Sequence, residues 1–595
     1  MARLFSTRIS ATPARVLLLL IVLSGLEAVI VNAQPAGDAA SRKPLPIKGP
    51  NNAENLVTGE TTENPLHKPL HTAPGDALII NWRRNGGTWT YVFTGDEPTP
   101  LEFSARYVDK RAELRTHRPG GGELIGLKIY DTQMNRTQFE ELCRTHPGVV
   151  TFQIANSARE LADLTPLRHF SRLTALRIRH ISQVPDLKPL AGLKNLRFVY
   201  IERWDRVATL QPLAELEKLV FLSIRSCDRL TTLEPLGGLE NLRVLKLNGC
   251  KMLQDIQALA RMSNLEQLAI SCPYKNDDIT PLATMTSLRR LSVATLNPET
   301  ELRPLAGLHN LTRLTVGNRG NVTTLVPLAG LTRLEEIKLS ADFQKPISVA
   351  PLAGLKSLRR LSLPGLVTDL GKLSSCESLT DLEIDRCDRL APLPGAKNLH
   401  NLSIGHCDNL TDLGPLAGMK SLERLQLRRC ILVTDIKPLA GLTNLESLSL
   451  AGGERIRDLS PLSGLTKLDF LNLSSCTSLT DLGPLASLDN LTHLSIGHCA
   501  MIGEFGGMTG LKPLAKLKNL KRLGMEACPR ISDLTPLAGL PRLSHLNVNG
   551  CENIISLKPL GKMPQLRFLY SPGKHRISKE EVKAFKKRNP GCRVL

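Results

Sequence analysis

The chain has 595 residues and a formal net charge of +20, from 76 Lys and Arg against 56 Asp and Glu. Beyond the N-terminus no run approaches roughly 18 apolar residues, which excludes a later membrane-spanning helix. The excess of cations favours anionic partners, yet no recognition motif for nucleic acid is present, so specific nucleic-acid binding is excluded as a function.

At the N-terminus, Arg3, Arg8 and Arg15 precede an apolar run from Val16 to Leu26, and Val31-Asn32-Ala33 supplies small residues for cleavage. This pattern predicts a signal peptide over residues 1–33. An uncleaved anchor is the alternative, but Gly25 and Glu27 interrupt a run already short for a span. Cleavage removes three arginines and one glutamate, leaving 20 − 2 = +18. No cysteine near the cleavage point suggests a lipoprotein. Residues 34–75 are rich in Pro, Ala, Gly, Asn and Thr and read as a disordered linker. Residues 76–123 form a small β-rich element, with two β-prone runs flanking Asn85-Gly86-Gly87 and two of the three tryptophans, Trp82 and Trp89. It reads as a cap, or as a carbohydrate- or partner-binding module. Residues 124–172 read as an N-terminal cap with the first coils, because Thr137 to Gly148 spells an amphipathic helix ended by Pro-Gly.

From residue 173 to 572 one pattern recurs eighteen times, its first leucine running from Leu173 to Leu566. Thirteen of the seventeen steps are 23 residues; the others are 24, 21, 20 and 29. A fixed period of this length means a solenoid of stacked coils. In the copy at Leu422, Leu425 and Leu427 alternate with Gln426 and Arg428, which predicts a strand with one buried face. No single strand can bury three leucines, so the copies must stack into a parallel sheet, with strands about 4.8 Å apart. The return path carries P-L-A-G-L, as at Pro438 and Pro536, which suits a short 3₁₀ turn. Asp186, Asp412, Asp435, Asp458, Asp481 and Asp533 stand three residues before such prolines and can accept the turn's free N–H groups. Cys227, Cys250, Cys387, Cys407, Cys430, Cys476, Cys499, Cys528 and Cys551 each follow their repeat's first leucine by eight residues. They predict a column of buried, unbridged thiols; no C-x-x-C pair or interleaved His points to a metal. The 29-residue step places extra residues at Met501–Gly510, a loop that is either a mobile lip or a tolerated insertion. Residues 573–595 predict a C-terminal capping helix, E-E-V-K-A-F-K-K-R-N-P-G from Glu580.

The segments T-D-L-G-P-L-A-G-M-K-S-L at Thr411 and S-D-L-T-P-L-A-G-L at Ser532 resemble the repeats of the leucine-rich repeat family, most closely the internalin type. That resemblance implies an α/β solenoid wound as a right-handed superhelix, with a parallel β-sheet on the concave face and a mostly 3₁₀ or irregular convex side. It also implies recognition of a protein ligand or surface polymer on the concave face, by a monomer without cofactors. The chain departs from internalins in its 23-residue copies, in Cys where Asn usually ends the strand, and in having no cell-wall sorting motif after the repeats. Covalent wall anchoring is therefore not expected.

Two groups of residues are candidates for binding. Outward positions of the first copies carry Arg177, Arg179, Phe198, Tyr200, Arg203, Phe221 and Arg225, the residue types that dominate binding hot spots. They form a partner-binding patch, or they pack under the N-terminal cap; Trp204 occupies a Cys position and belongs with the core. At the other end, Lys558–Leu595 carries eleven Lys and Arg against two Glu, +9 in all. There Lys583, Lys586, Lys587 and Arg588 are candidates for weak polyanion binding, and a structural role attached to envelope polymers is the alternative function. No P-loop, dinucleotide fingerprint, H-E-x-x-H or G-x-S-x-G is present, so no catalytic residue or metal site is assigned. Cys143 has only His146 nearby as a base and reads as structural.

Overall fold

The computed structural model describes residues 77–84, 87–94, 103–108, 111–116, 126–130 and 136–595, apart from short segments at 156–160, 182, 273–277, 296–301, 319–321, 342–345, 366, 387–388, 391–396, 407, 504–509 and 574–575. The expected signal peptide, the linker, the Asn85-Gly86 turn, Cys387, Cys407 and most of the Met501–Gly510 loop lie outside the described residues. The described residues fall into two compact units, one closing at Cys227 and the other opening at Asp228.

In the first unit, β1 (Ala77–Arg84) pairs antiparallel with β2 (Gly87–Thr94), and β3 (Phe103–Val108) pairs likewise with β4 (Arg111–Thr116). A parallel sheet then runs through β5 (Gly126–Tyr130), β6 (Thr151–Ala155), β7 (Ala175–Arg179), β8 (Phe198–Glu202) and β9 (Phe221–Arg225). Helix α1 (Arg136–Thr145) joins β5 to β6. Its Phe139 is fully buried, and a run of rings, Phe139, Phe152 and Phe170, continues inward at 5.9 and 5.4 Å between centroids.

The second unit repeats one coil along a parallel sheet. Leu402, Leu425, Leu448, Leu471, Leu494, Leu523, Leu546 and Leu569 are partners in register, strand after strand. All are buried, so each leucine packs on its counterpart and contributes about 1.5–3 kcal/mol of burial. The 29-residue step does not disturb this order, because Leu494 still faces Leu523. The return path carries 3₁₀ turns, most with proline in their first two positions and a buried leucine, as at Lys437–Gly441 and Thr535–Leu537; Gln257–Arg261 and Leu370–Ser375 lack the proline.

The six aspartates act one residue earlier than a helix cap. The N-cap position is held by a buried Leu or Ile, and the aspartate before it accepts the N–H two residues on. The distances are 2.9 Å for Asp186, 2.7 Å for Asp412, 2.9 Å for Asp435 and 2.8 Å for Asp458, Asp481 and Asp533. This Asx turn lets the chain leave the core without an orphaned donor. A second ladder runs beside the first. The Asn just before a repeat's first leucine donates its amide to a carbonyl of the preceding coil, as in Asn444 to Lys420 and Asn490 to Thr466, both at 2.8 Å.

Most strands end in a left-handed corner seven residues after the first leucine; Cys272, Thr295, Asn318 and Ala341 hold that place without one. Gly249, Gly365, Gly452 and Gly550 occupy it in four coils, whereas His180, Arg203, Ser226, Arg386, His406, Arg429, Ser475, His498 and Ala527 do so at φ between 50° and 60°. A side chain there is strained by about 1–2 kcal/mol. Ala527→Gly should therefore raise stability by up to about 1 kcal/mol, after the entropy cost of glycine. Gly452→Ala should lower stability, since its Cβ would lie 3.1 Å from Arg429 Cα; denaturant midpoints of the two variants test this opposition.

The described cysteines are buried thiols. In the last coils each thiol donates to a carbonyl of the coil before it: Cys476 to Leu450 at 3.3 Å, Cys499 to Leu473 and Cys528 to Ile496 at 3.1 Å, and Cys551 to Met525 at 2.9 Å. Burial pushes the first three up to about 12 and Cys551 to about 11. A thiol whose pKa is higher folded than unfolded stabilises the fold fully below the unfolded value and loses that effect as pH rises through the folded one. Stability should thus fall from about pH 9 toward pH 12, with Cys499→Ser and Cys528→Ser, which keep a donor, weakening the dependence. Native protein should resist thiol alkylation until it unfolds.

Candidate functional site

The sheet of the first unit carries an ionic and aromatic network on its outward positions. Alternation along β7, β8 and β9 places Arg177, Arg179, Tyr200, Glu202 and Arg225 on the face opposite Ile178 and Ile201. Glu202, absent from the expected patch, is its centre. Its carboxylate accepts from Tyr200 Oη at 3.0 Å and pairs ionically with Arg179 Nε at 2.8 Å, with Arg225 Nη1 at 3.9 Å. The Arg177 guanidinium lies over the Tyr200 ring, 4.8 Å from its centroid. Phe198 and Phe221 stack at 6.3 Å, as their shared place in adjacent coils predicts, and Phe198 packs with Ala175.

Burial sorts these residues. Arg177, Phe198 and Tyr200 are 7%, 5% and 9% exposed, and Glu202 is 8% exposed. Arg179, Phe221 and Arg225 are half-buried. Arg203 is exposed, but it sits at the left-handed corner after β8 rather than on the sheet face. Trp204 is fully buried and its Nε1 donates to the Val184 carbonyl at 2.8 Å. Burial opposes ionisation of Glu202, but Arg179, the Tyr200 hydroxyl and Arg225 outweigh it and hold the carboxyl below its usual range. Burial and then the Glu202 charge raise Tyr200, and burial brings Arg177 down to about 10 despite Tyr200.

At the other end, Lys583, Lys586, Lys587 and Arg588 lie on helix α2 (Lys579–Arg588) and are all exposed. The helix is tied to the last coil. Ser578 caps it by accepting from Glu581 N–H at 3.1 Å, while the Glu581 carboxylate accepts from Ser556 Oγ and Leu557 N–H at 2.6 and 2.7 Å. Phe585 is fully buried, and Asn589 accepts from Met563 N–H at 2.6 Å and donates to the Gly561 carbonyl at 3.1 Å.

Residues 420–464 and 443–487 match the family model for leucine rich repeats (2 copies), the same coils that continue in register along the sheet. These are leucine-rich repeats. No curated protein matches the chain. Among solved structures it is similar to an internalin, InlF of Listeria monocytogenes, at 22% identity over 60% of this chain and 88% of that one, with a TM-score of 0.37. It is also similar to the functional domain of InlJ from the same organism, which includes a cysteine ladder, at 19% identity over 69% and 75% with a TM-score of 0.40. A leucine-rich repeat protein of Leptospira interrogans aligns at 14% identity over 78% and 92% with a TM-score of 0.39.

No group of three metal-ligating side chains comes together among the described residues, and no described helix is long and apolar enough to cross a membrane. His406 and His498 occupy left-handed corners, and His406 Nδ1 meets Asp385 Oδ1 at 2.8 Å. His146 Nδ1 is 3.0 Å from the Leu142 carbonyl, while Cys143 is fully buried and pushed up to about 12 by burial and then Glu140. Glu202→Ala removes the counter-charge of Arg179 and should cost about 1–3 kcal/mol. Because the folded carboxyl is depressed, its contribution is present above the ordinary Glu range and lost as pH falls through the folded value. The wild-type denaturation midpoint should accordingly drop more than that of Glu202→Gln as pH is lowered below about 4.5.

Proposed function

We propose that this protein is an exported, non-enzymatic scaffold that holds a protein partner against the outward face of its repeat sheet. The observation that carries this reading is the contrast between the two faces in the second unit. Inward leucines are buried coil after coil, whereas outward side chains such as Lys338, Gln426, Arg428 and Asn549 are exposed and held in fixed columns. A rigid array of this kind lowers the ordering cost of binding. Export is read from the arginines and apolar run of residues 1–33. In the first unit the contact is assigned to Arg179, Phe221, Arg225 and Arg203, braced by the buried Arg177, Phe198 and Tyr200.

A second reading, attachment to anionic polymers, is favoured by one observation: the four cations of α2 all point to solvent from a helix anchored at both ends. One experiment separates the two. Immobilised protein is presented with the surface and secreted proteins of its source cells, and in parallel with heparin. Arg203→Glu with Arg225→Ala should reduce protein capture at least about tenfold and leave heparin retention unchanged. Glu at Lys583, Lys586, Lys587 and Arg588 should do the reverse. Undiminished capture by the first variant would remove the assigned contact.

A further inference from the structure

One outward column changes chemistry along the second unit. It is formed by the residue two positions after each repeat's first leucine. In its middle part the charges neutralise one another: Glu336 lies 3.7 Å from Arg313 and 3.9 Å from Arg360, and Asn401 bridges Asp381 at 2.6 Å to Arg424 at 3.2 Å. In the last coils the same column reads Ser447, Phe470, His493, Arg522, His545, Phe568 and Arg593, partners in register across successive strands. It contains rings and cations and no carboxylate.

These flat groups stand on edge, one per strand. Phe470 and His493 are 6.3 Å apart between centroids, His545 stacks on Phe568 at 4.8 Å and 24°, and the Arg593 guanidinium covers Phe568 at 6.0 Å. Stacking turns the edges toward solvent, and the edge of an aromatic ring is its positive part. His493 Nδ1 meets Thr492 Oγ1 at 2.6 Å and His545 Nδ1 meets Ser544 Oγ at 2.9 Å, while Arg522 and Arg593 are exposed. No ion pair joins Arg522 or Arg593 to a described residue, and Lys521 and Arg567 flank the column with further positive charge. Beside it the floor is shallow: Ser495, Gly524 and Asn547 form the neighbouring column. Phe470 and Tyr570 are exposed hydrophobics at either end.

We infer that this C-terminal column, Phe470 to Arg593, is a docking strip for an extended acidic peptide of a protein partner, carboxylates against Arg522, His545 and Arg593 and apolar side chains against Phe470, Phe568 and Tyr570. The charge sets the class of ligand, and the exposed rings favour a peptide with alternating acidic and apolar residues over a uniformly charged polymer. The strip spans about 24 Å, or about eight residues of extended chain. Two acids border the strip: Glu526 accepts from Asn547 Nδ2 at 3.2 Å, and Asp469, engaged by Thr492 Oγ1, acts on His493 at the strip's first end rather than on Arg522, His545 or Arg593.

This inference rests on the reading that the sheet's outward face binds protein, but it places a second contact in the other unit. The test uses the full chain and a fluorescent alternating Glu-Leu peptide of about eight residues, its Lys-Leu counterpart and a heparin fragment, with affinities read by anisotropy at physiological salt. Wild type should bind the Glu-Leu peptide and not the Lys-Leu peptide. Arg522→Gln with Arg593→Gln, neutral and on exposed positions, should weaken binding at least about tenfold. His545→Ala should weaken it too, and the α2 quadruple Glu variant should not. Binding unaffected by the Arg522 and Arg593 changes, lost in the α2 variant, or absent from wild type would overturn the proposal, as would heparin occupying the same column with higher affinity. Arg203→Glu with Arg225→Ala should retain peptide binding, so failure of the N-terminal contact and failure of this strip are told apart.

Discussion

Every other feature of the molecule depends on one constraint: the same leucine in successive coils must lie against its counterpart. Leu448 on Leu471 on Leu494 is an apolar contact of ordinary strength, but it repeats with each coil and fixes the register of each strand. A slip by one residue would turn every leucine to solvent. Once the inward columns are fixed, the outward ones are fixed with them. Variation in coil length is tolerated accordingly: a 20-residue or a 29-residue step leaves strand pairing intact.

The polar ladders let this stack close without orphaned groups. Each coil leaves backbone donors and acceptors at its corners that no strand partner reaches. An aspartate side chain takes an N–H at the entry to the 3₁₀ turn, an Asn amide reaches a carbonyl of the coil before, and a thiol does the same from inside. Cysteine suits the last task because it is small enough for the core and still carries a donor. Cys272 departs from the series: its sulfur accepts the Cys250 N–H at 3.3 Å, and hydrogen bonding with the Cys250 side chain, and then with backbone N–H groups, lowers its pKa against the effect of burial.

A rigid stack also means that binding surfaces are written by columns rather than by loops. The outward column two residues past the first leucine appears in three forms. It is packed and apolar at Ala175 and Phe198, self-neutralised around Glu336, and unneutralised from Phe470 onward. The same backbone position thus serves as core, as ion ladder and as open surface. Which of these it becomes is decided by neighbours a full coil away, and this is why one fold can present unrelated surfaces along its length.

Much of this was legible in the residue pattern. The period, the inward leucines, the proline turns and the aspartates beside them follow from local rules of alternation, fixed φ and hydrogen-bond capacity, which hold wherever the coil is placed. Trp204 as core and Phe198 beside Phe221 were readable because both depend only on position within the repeat. The tertiary structure alone decided that Arg177 and Tyr200 are buried, that Glu202 gathers the surrounding arginines, and that Arg203 stands at a left-handed corner. It also decided that Arg522 and Arg593 form no ion pair with a carboxylate among the described residues. Position within a repeat sets the direction of a side chain; its burial and its charge partner come from residues distant in sequence, and only folding brings those together.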